Sequence, residues 1–165
     1  MGLDQYLYAN KYTFGNDFEE PTWQKKNADF QRLKKAIAEG STNGDDTLHM
    51  NKTYGETIVV SMKVGYWRKA NAIHQWFVDN CQNGEDDCRD AYVSREKLEE
   101  LLGIVQEVLA DRSKVDELLP TQSGFFFGST EYDEYYFQDL ELTQRILENA
   151  LSMSDEWDFG YQSSW

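Results

Sequence analysis

The alternation of apolar and polar residues predicts three β-strands. The clearest covers residues 57–66, where every second residue is apolar. Weaker alternation marks a first strand in residues 3–12 and a terminal strand around Trp157, Phe159 and Tyr161. Because side chains on a strand point to alternate faces, each pattern places its apolar residues on one side of a sheet. We expect the strand at residues 57–66 to lie centrally in that sheet.

Apolar residues that recur every three or four positions predict helices. Four such segments are found, at residues 21–40, 70–82, 95–108 and 136–151. Pro21 suits the first turn of the first helix, and Ser94 suits the N-cap of the third. The turn dipeptide Asn83-Gly84 ends the second, and one further helical turn is expected to stop by Pro120.

The remaining segments predict turns and exposed loops, and the order of the elements gives the fold class. Turn-forming residues fill 41–47, and the acidic link at 82–88 is expected to be exposed. Residues 121–130, TQSGFFFGST, predict a short aromatic strand or a turn between two glycines. Strands and helices do not alternate regularly, so we predict an α+β fold, with an antiparallel or mixed sheet and about four helices packed mainly on one face. Residues 1–165 are expected to form a single domain around one core.

Several classes of protein are disfavoured by the composition. No run of 18 apolar residues is present, and residues 1–12 lack the features of a signal peptide, so we expect a cytoplasmic protein that does not bind membranes. Cys81 and Cys88, with six residues between them, suit neither a redox pair nor a zinc site. Glycine-rich nucleotide motifs are absent. No metal site and no cofactor are therefore predicted.

The negative charge is concentrated in the last third of the chain. The net charge is −14, and residues 115–165 hold eleven acidic residues against one basic residue, Arg145. Such a field repels nucleic acid and attracts cations or basic proteins. We therefore expect no direct binding of nucleic acid.

The segment GYWRKANAIHQW, residues 65–76, concentrates basic and aromatic side chains where a strand ends and a helix begins. Its candidate ligand-binding residues are Tyr66, Trp67, Arg68, Lys69, Asn71 and His74. Free backbone N–H groups at a helix start, together with two cations, favour an anion such as a small phosphorylated ligand. The alternative is structural: the aromatic residues pack, and His74 is a core-edge histidine bonded to a carbonyl.

A second polar segment, residues 122–133, contains the aromatic FFF sequence and adds Gln122, Ser123 and Tyr132 to the candidate ligand-binding residues. The two segments are expected to face each other across one pocket with aromatic walls and a few polar groups. His74 could act as a general base oriented by Asp79 or Asp133. No recognised motif supports a reaction class, however, so no catalytic residue is assigned and enzymatic activity stays open.

The acidic third supplies a different kind of candidate site. Its candidate partner-binding residues are Glu131, Asp133, Glu134, Asp139 and Glu141. Carboxylates in such an array could imitate a phosphate track to a protein built to grip nucleic acid. The alternative is an ordinary solvated acidic surface.

The sequences GYWRKANAIHQWFVDN and LPTQSGFFFGSTEYD, with the opening MGLDQYLYA and the ending YQSSW, resemble a family of small proteins of bacteriophages and prophages. The resemblance covers most of the chain and carries no catalytic residue. It implies an accessory protein made in an infected bacterial cell. Compact acidic phage proteins often bind host machinery, including restriction, CRISPR and nucleotide-signalling defences.

Three functional hypotheses follow. The first is a non-enzymatic inhibitor whose acidic surface binds a basic surface of a host defence protein, including one that itself binds nucleic acid. The alternative is a pocket protein that binds or turns over a nucleotide-like anion. A third hypothesis is an oligomeric structural or regulatory phage component whose interface uses Trp157 and Trp165.

Overall fold

A computed structural model describes residues 2–15, 21–38, 47–51 and 57–165, with the backbone alone at 21–23, 37–38 and 47–51. The fold is α+β, as the sequence predicts. The strands are β1 (Asp4–Phe14), β2 (Thr47–Asn51), β3 (Thr57–Arg68), β4 (Ala91–Val93) and β5 (Asp158–Ser164). The α-helices are α1 (Pro21–Ala38), α2 (Asn71–Cys81), α3 (Arg95–Ala110), α4 (Val115–Leu118) and α5 (Glu134–Leu151), and a 3-10 turn covers Arg112–Lys114.

The strands form a five-stranded sheet in the order β2-β3-β1-β5-β4. In the β2–β3 pair Thr47 lies opposite Ser61, and in the β4–β5 pair Ala91 lies opposite Tyr161. Both pairs are antiparallel, which confirms the antiparallel form of the predicted sheet. The strand β3 was expected to lie centrally; it is an interior strand next to the edge strand β2, and β1 occupies the centre of the sheet.

The chain divides into two compact units, Met1–Tyr8 with Lys63–Trp165 and Ala9–Met62. In the second unit, Phe30 of α1 is fully buried and the ring lies close to Gly15. The hydroxyl of Thr13 donates to the Ile58 carbonyl at 3.0 Å, and Lys11 pairs with Asp29 at 2.8 Å. The buried Phe30 ring and these polar contacts connect α1 and the strand segments of this unit.

In the first unit, α3 packs against α5, and their shared apolar faces form much of the core. The buried helix residues are Leu98, Leu101, Val105 and Val108 of α3 and Tyr136, Phe137, Leu140, Ile146 and Leu147 of α5. Phe77 of α2 stacks on Tyr161 of β5, with ring centroids 4.1 Å apart. Removing these side chains from water supplies the main stabilisation, at about 25 cal/mol for each Å² of apolar surface.

Helix ends are set by the residues that the sequence indicates. The Ser94 side chain accepts a hydrogen bond from the Lys97 N–H at 3.3 Å, which caps α3. After α2, Asn83 and Gly84 have φ values of 57° and 74°. Asparagine and glycine tolerate this left-handed region, so the helix ends there. Both predicted boundaries are confirmed.

The strands β2 and β4 were not predicted. The aromatic segment, for which a short strand or a turn was predicted, forms a turn. The strand β4 has three residues, too few to show a period. The strand β2 begins at Thr47, while residues 41–46 of the predicted loop lie outside the described residues. Residues 125–127 form a turn in which the Phe127 N–H donates to the Gly124 carbonyl at 3.2 Å. Phe125 at this turn is 95% exposed.

Within the predicted link at residues 82–88, Gln82 is buried. Its side-chain amide donates to the Arg89 carbonyl at 2.9 Å, and the Arg89 guanidinium donates to the Gln82 carbonyl. These two residues hold the ends of the link together. Asn83, Gly84 and Glu85 are exposed.

Candidate functional site

A cavity of about 330 Å³ lies in the first unit where the two polar segments of the sequence meet. Residues 68–73 line it from the end of β3 and the start of α2, and residues between 121 and 140 supply the rest of its lining. The expectation that the two segments face one pocket matches this arrangement. The lining includes Arg68 and Lys69 together with Glu131, Asp133 and Asp139.

The chain reverses sharply between β3 and α2, at Lys69. Lys69 has a φ of 62°, a left-handed conformation that is strained for a residue other than glycine. The Lys69 N–H donates to the Leu3 carbonyl at 2.8 Å, and the Lys69 carbonyl accepts from the Asn71 N–H at 2.9 Å. Non-glycine residues held in such strain cluster at functional sites.

Two glycines make room for the Lys69 side chain. A Cβ atom added at Gly128 would lie 3.2 Å from the Lys69 Cβ, and one added at Gly2 would lie 3.3 Å from the Lys69 Cε. Gly128 also has a φ of 89°, which other residues rarely adopt. The lysine stem is therefore confined between two backbone segments.

Asn71 fixes the wall of the cavity formed by the aromatic loop. Its Nδ2 donates to the Phe127 carbonyl at 3.1 Å and to the Ser129 carbonyl at 2.8 Å. Its Oδ1 accepts from the Gln122 N–H at 3.0 Å. One side chain, 5% exposed, thus holds both arms of the loop against the start of α2. Because these bonds occupy its amide group, Asn71 acts as a support of the cavity wall.

Further bonds complete the loop. The Thr121 hydroxyl donates to the Thr130 carbonyl at 2.9 Å, across the base of the loop. The Leu3 N–H donates to the Phe126 carbonyl at 3.2 Å. Bonds from two sides satisfy several polar backbone groups of a segment that has no regular secondary structure.

His74 lies in the core and does not line the cavity. It is fully buried, with Nδ1 2.8 Å from the Tyr161 hydroxyl and Nε2 3.0 Å from an Asp86 carboxylate oxygen. The Tyr161 hydroxyl donates to Gln5 Oε1 at 3.1 Å, and the ring edge of His74 meets Phe127 at 5.1 Å between centroids. Both ring nitrogens of His74 have side-chain partners. The structural alternative expected a bond from His74 to a carbonyl, and that part of it is wrong.

The aromatic candidates of the first segment also lie outside the lining. Trp67 is buried, and its Nε1 donates to the Thr143 hydroxyl at 2.8 Å. Tyr66 projects from β3 in the opposite direction, where its hydroxyl donates to Asp4. Both residues therefore support the strand from which Arg68 extends.

The candidates of the second segment are divided. Gln122 and Ser123 are exposed beside the loop and do not line the cavity, although the Gln122 N–H bonds to Asn71. Tyr132 is half-buried, with its ring 5.1 Å from that of Tyr136. Other residues of the segment, including Ser129, line the cavity instead.

Among the five acidic candidates, Glu131, Asp133 and Asp139 line the cavity, and Glu134 and Glu141 do not. Glu134 is exposed and lies 3.6 Å from Arg112. Glu141 is exposed on α5. The basic and acidic residues that the sequence assigned to two separate sites thus meet partly in one cavity.

The two aspartates of the cavity have different surroundings. Asp133 caps α5 by accepting a hydrogen bond from the Tyr136 N–H at 3.1 Å. Asp139 is half-buried, and burial raises the pKa of its carboxyl to about 6, with a further contribution from the charge of Asp133. A half-buried carboxyl with a raised pKa in a cavity is a feature of functional sites.

Asp139 could have been recognised from the sequence. It lies three residues after Tyr136 and four before Thr143, which are both buried. An acidic residue at that spacing falls on the face of the helix that packs inward. An ionisable side chain within an apolar stripe is therefore the signal that was available.

The two tryptophans proposed for an oligomer interface differ in exposure. Trp157 is half-buried, whereas Trp165 is 44% exposed. The indole Nε1 of Trp165 donates to Asp86 at 3.0 Å, and its ring stacks on Phe126 with centroids 6.5 Å apart. The oligomer interface stays a prediction.

No family model matches the chain, and neither a curated protein nor a solved structure matches it. Among the described helices, none is long and apolar enough to cross a membrane. The same part of the chain has no group of three or more His, Cys, Asp or Glu side chains placed to hold a metal ion. The arrangement that remains for chemical interpretation is a charged cavity with fixed walls.

Proposed function

We propose that this protein is a binding protein and that its cavity holds a small polar ligand. The observation that carries the proposal is the set of three hydrogen bonds by which Asn71 fixes the loop of the cavity. A site whose walls are fixed before the ligand arrives loses less conformational entropy on binding. A volume of about 330 Å³ lies at the lower end of the range for small-molecule sites.

Binding suits the lining residues better than catalysis does. The described residues around the cavity include no histidine and no cysteine. His74, the side chain best suited to general base catalysis, is held in the core by Tyr161 and Asp86. The charged groups of the cavity are suited to recognising a polar ligand.

Thermal unfolding in the presence of a library of charged and polar metabolites tests the proposal. We expect ligands of the cavity to raise the Tm of the protein, because a ligand that binds only the folded state stabilises it. Arg68→Gln should remove the shift. Arg145→Gln on the exposed surface of α5 is the matched control and should preserve it. A library without any stabilising compound, or shifts that survive Arg68→Gln, would contradict a ligand site in the cavity.

We also propose a second function, in which the protein binds and inhibits a basic host protein of the antiviral defence in an infected bacterium. The supporting observation is that Glu131, Glu134 and Glu141 are all exposed on the acidic third of the chain. Carboxylates in water can approach a basic surface at a small desolvation cost. The resemblance to phage proteins supports the cellular setting.

Pull-down from bacterial lysate, followed by binding measurements with the purified partner, tests this second function. Charge reversal of Glu131, Glu134 and Glu141 to lysine should weaken the complex at least tenfold and reduce its dependence on salt. Asp133 is left unchanged because it caps α5. Reversal of Asp90 and Glu99, both exposed and outside residues 115–165, is the control and should have a much smaller effect. Equal effects of the two sets would argue against an interface on the acidic third.

A further inference from the structure

We infer that the ligand of the cavity is dipolar, carrying an anionic group that meets Arg68 and Lys69 and an ammonium or guanidinium group that meets Asp139 and Asp133. This inference rests on the proposed ligand-binding function. It narrows the ligand from a polar molecule to one with both charges.

The basic part of the cavity suits an anion. Arg68 and Lys69 are exposed, and neither makes an ion pair with any side chain that the structure describes. The lysine stem is confined by Gly2 and Gly128, which limits the positions open to its ammonium group. The first turn of α2 borders the same space, and its N-cap residue Ala70 has no side-chain capping bond. Backbone N–H groups at this helix end add to the two side-chain cations.

The acidic part of the cavity suits a cation. Glu131, Asp133 and Asp139 lie in the lining, and within the described part of the chain none of them makes an ion pair. Asp139 is half-buried, so its charged form has lost part of its hydration without gaining a cation. A cationic group from a ligand would compensate for that loss.

The two parts of the cavity do not neutralise each other. In the described residues, no nitrogen of Arg68 or Lys69 lies within 4.0 Å of a carboxylate oxygen of the cavity. A ligand with one charge would gain attraction from one group of side chains and meet repulsion from the other. A ligand with both charges would gain attraction from both groups, so the cavity discriminates in favour of a dipolar molecule.

The proton affinity of Asp139 gives this inference a pH dependence. A nearby cation favours the charged carboxylate, so it lowers a carboxyl pKa that burial has raised to about 6. Binding of the cationic group at pH 6 should therefore release up to about half a proton per site, because a carboxyl with a pKa of about 6 is half protonated at that pH. The affinity should decrease as the pH falls through about 6, because the protonated carboxyl attracts the cation weakly.

Isothermal titration calorimetry with matched probes tests the inference. Phosphoethanolamine and L-arginine carry both charges, inorganic phosphate carries the anionic group alone, and ethanolamine and agmatine carry cationic groups alone. We expect at least one dipolar probe to bind ten or more times more tightly than the single-charge probes related to it. If the single-charge probes bind as tightly, or if neither dipolar probe binds at 10 mM, the inference is overturned. The proposed function fails separately, when the metabolite library contains no ligand at all.

Two variants separate recognition from a loss of structure. Asp139→Asn should weaken binding of the dipolar probe about tenfold and, by removing repulsion, strengthen binding of inorganic phosphate. Arg68→Gln should weaken binding of both phosphate-containing probes. Controls Glu141→Gln and Arg145→Gln, both exposed outside the lining, should change neither affinity. A parallel loss of dipolar and phosphate binding in Asp139→Asn would indicate structural damage and overturn the assignment of the cationic group to Asp139.

Discussion

Two polar regions of the first unit both include residues of α2, and they differ in how their polar groups are satisfied. The buried network joins His74, Tyr161 and Gln5, and it continues through the half-buried Asp86 to the exposed Trp165, with hydrogen bonds of 2.8–3.1 Å. The charged side chains of the cavity, in contrast, make no ion pairs among the described residues. Polar groups that satisfy one another stabilise the fold, whereas charged groups left unpaired in a cavity are available to a ligand.

The largest effect is expected from breaking the buried network. His74→Ala would leave the Tyr161 hydroxyl and the Asp86 carboxylate without their shared partner and would open a cavity. We expect the free energy of unfolding to fall by about 3–5 kcal/mol, as measured by urea denaturation. Gln75→Ala on the same helix, whose exposed hydrogen bond goes to Asp79, should cost less than about 1 kcal/mol. Similar losses in the two variants would show that the network contributes little.

A smaller loss of stability is expected from changing Asn71, which holds the wall of the cavity. Asn71→Asp keeps the shape of the side chain and loses the amide that donates to Phe127 and Ser129. Two carbonyl groups would then face a carboxylate, and we expect a loss of about 2–3 kcal/mol. Hydrogen exchange at the Gln122 amide should also accelerate, since its acceptor would be displaced.

The matched control for the loop is Asn80→Asp, because the Asn80 side chain donates to the Trp76 carbonyl and accepts from Lys97, and neither partner belongs to the loop. It should leave exchange in the loop unchanged. Unaltered exchange at Gln122 in Asn71→Asp would mean that the loop is held by other contacts.

In the cavity, by contrast, a substitution should stabilise the fold. The Asp139 carboxyl, with an ordinary pKa of 3.8 raised to about 6, binds a proton more readily in the folded than in the unfolded protein. The charged form therefore destabilises the fold, an effect absent below about pH 4 and complete above pH 6. Asp139→Asn should stabilise the protein above pH 6 by about 1 kcal/mol after allowance for solvent screening, or a Tm increase of about 2–4 °C. Thermal scans from pH 3 to pH 8 test this, and an equal gain at every pH would contradict it.

The smallest effect is expected at the strained turn. Lys69→Gly would relieve the left-handed backbone at a φ of 62°, and we expect a gain of up to about 1 kcal/mol in chemical denaturation. The same variant should weaken ligand binding by removing a cation. Asn83→Gly, at a φ of 57° in a turn outside the cavity, is the control and should change stability by only a few tenths of a kcal/mol. A loss of stability in Lys69→Gly would show that the lysine stem contributes more than the strain costs.

The fold was largely accessible from the sequence because its longer elements have regular patterns. The strand β3 and the helices α3 and α5 each carry enough periodic residues to define a face. The strand β4 has three residues, and its pairing with β5 depends on contacts distant in sequence. Local periodicity therefore could not reveal it.

The candidate site was accessible only in part. The segments that line the cavity stand out by composition, but composition cannot show which polar groups find partners inside the protein. His74 and Asn71 have polar side chains that are buried and satisfied. Asp139, within an apolar stripe, lines the cavity and makes no ion pair with the described residues. Distinguishing these cases requires the tertiary contacts.

The turn at residues 125–127 also affects how readily a protease cleaves this protein. Chymotrypsin cleaves after aromatic residues, and Phe125 is 95% exposed. Cleavage nevertheless requires several neighbouring residues to enter the protease in an extended form, and the arms of this loop are tied down through Phe127 and Gln122. The rate of cutting after Phe125 should therefore follow how often those ties open, so the fragment produced by this cut would report the opening of the cavity wall.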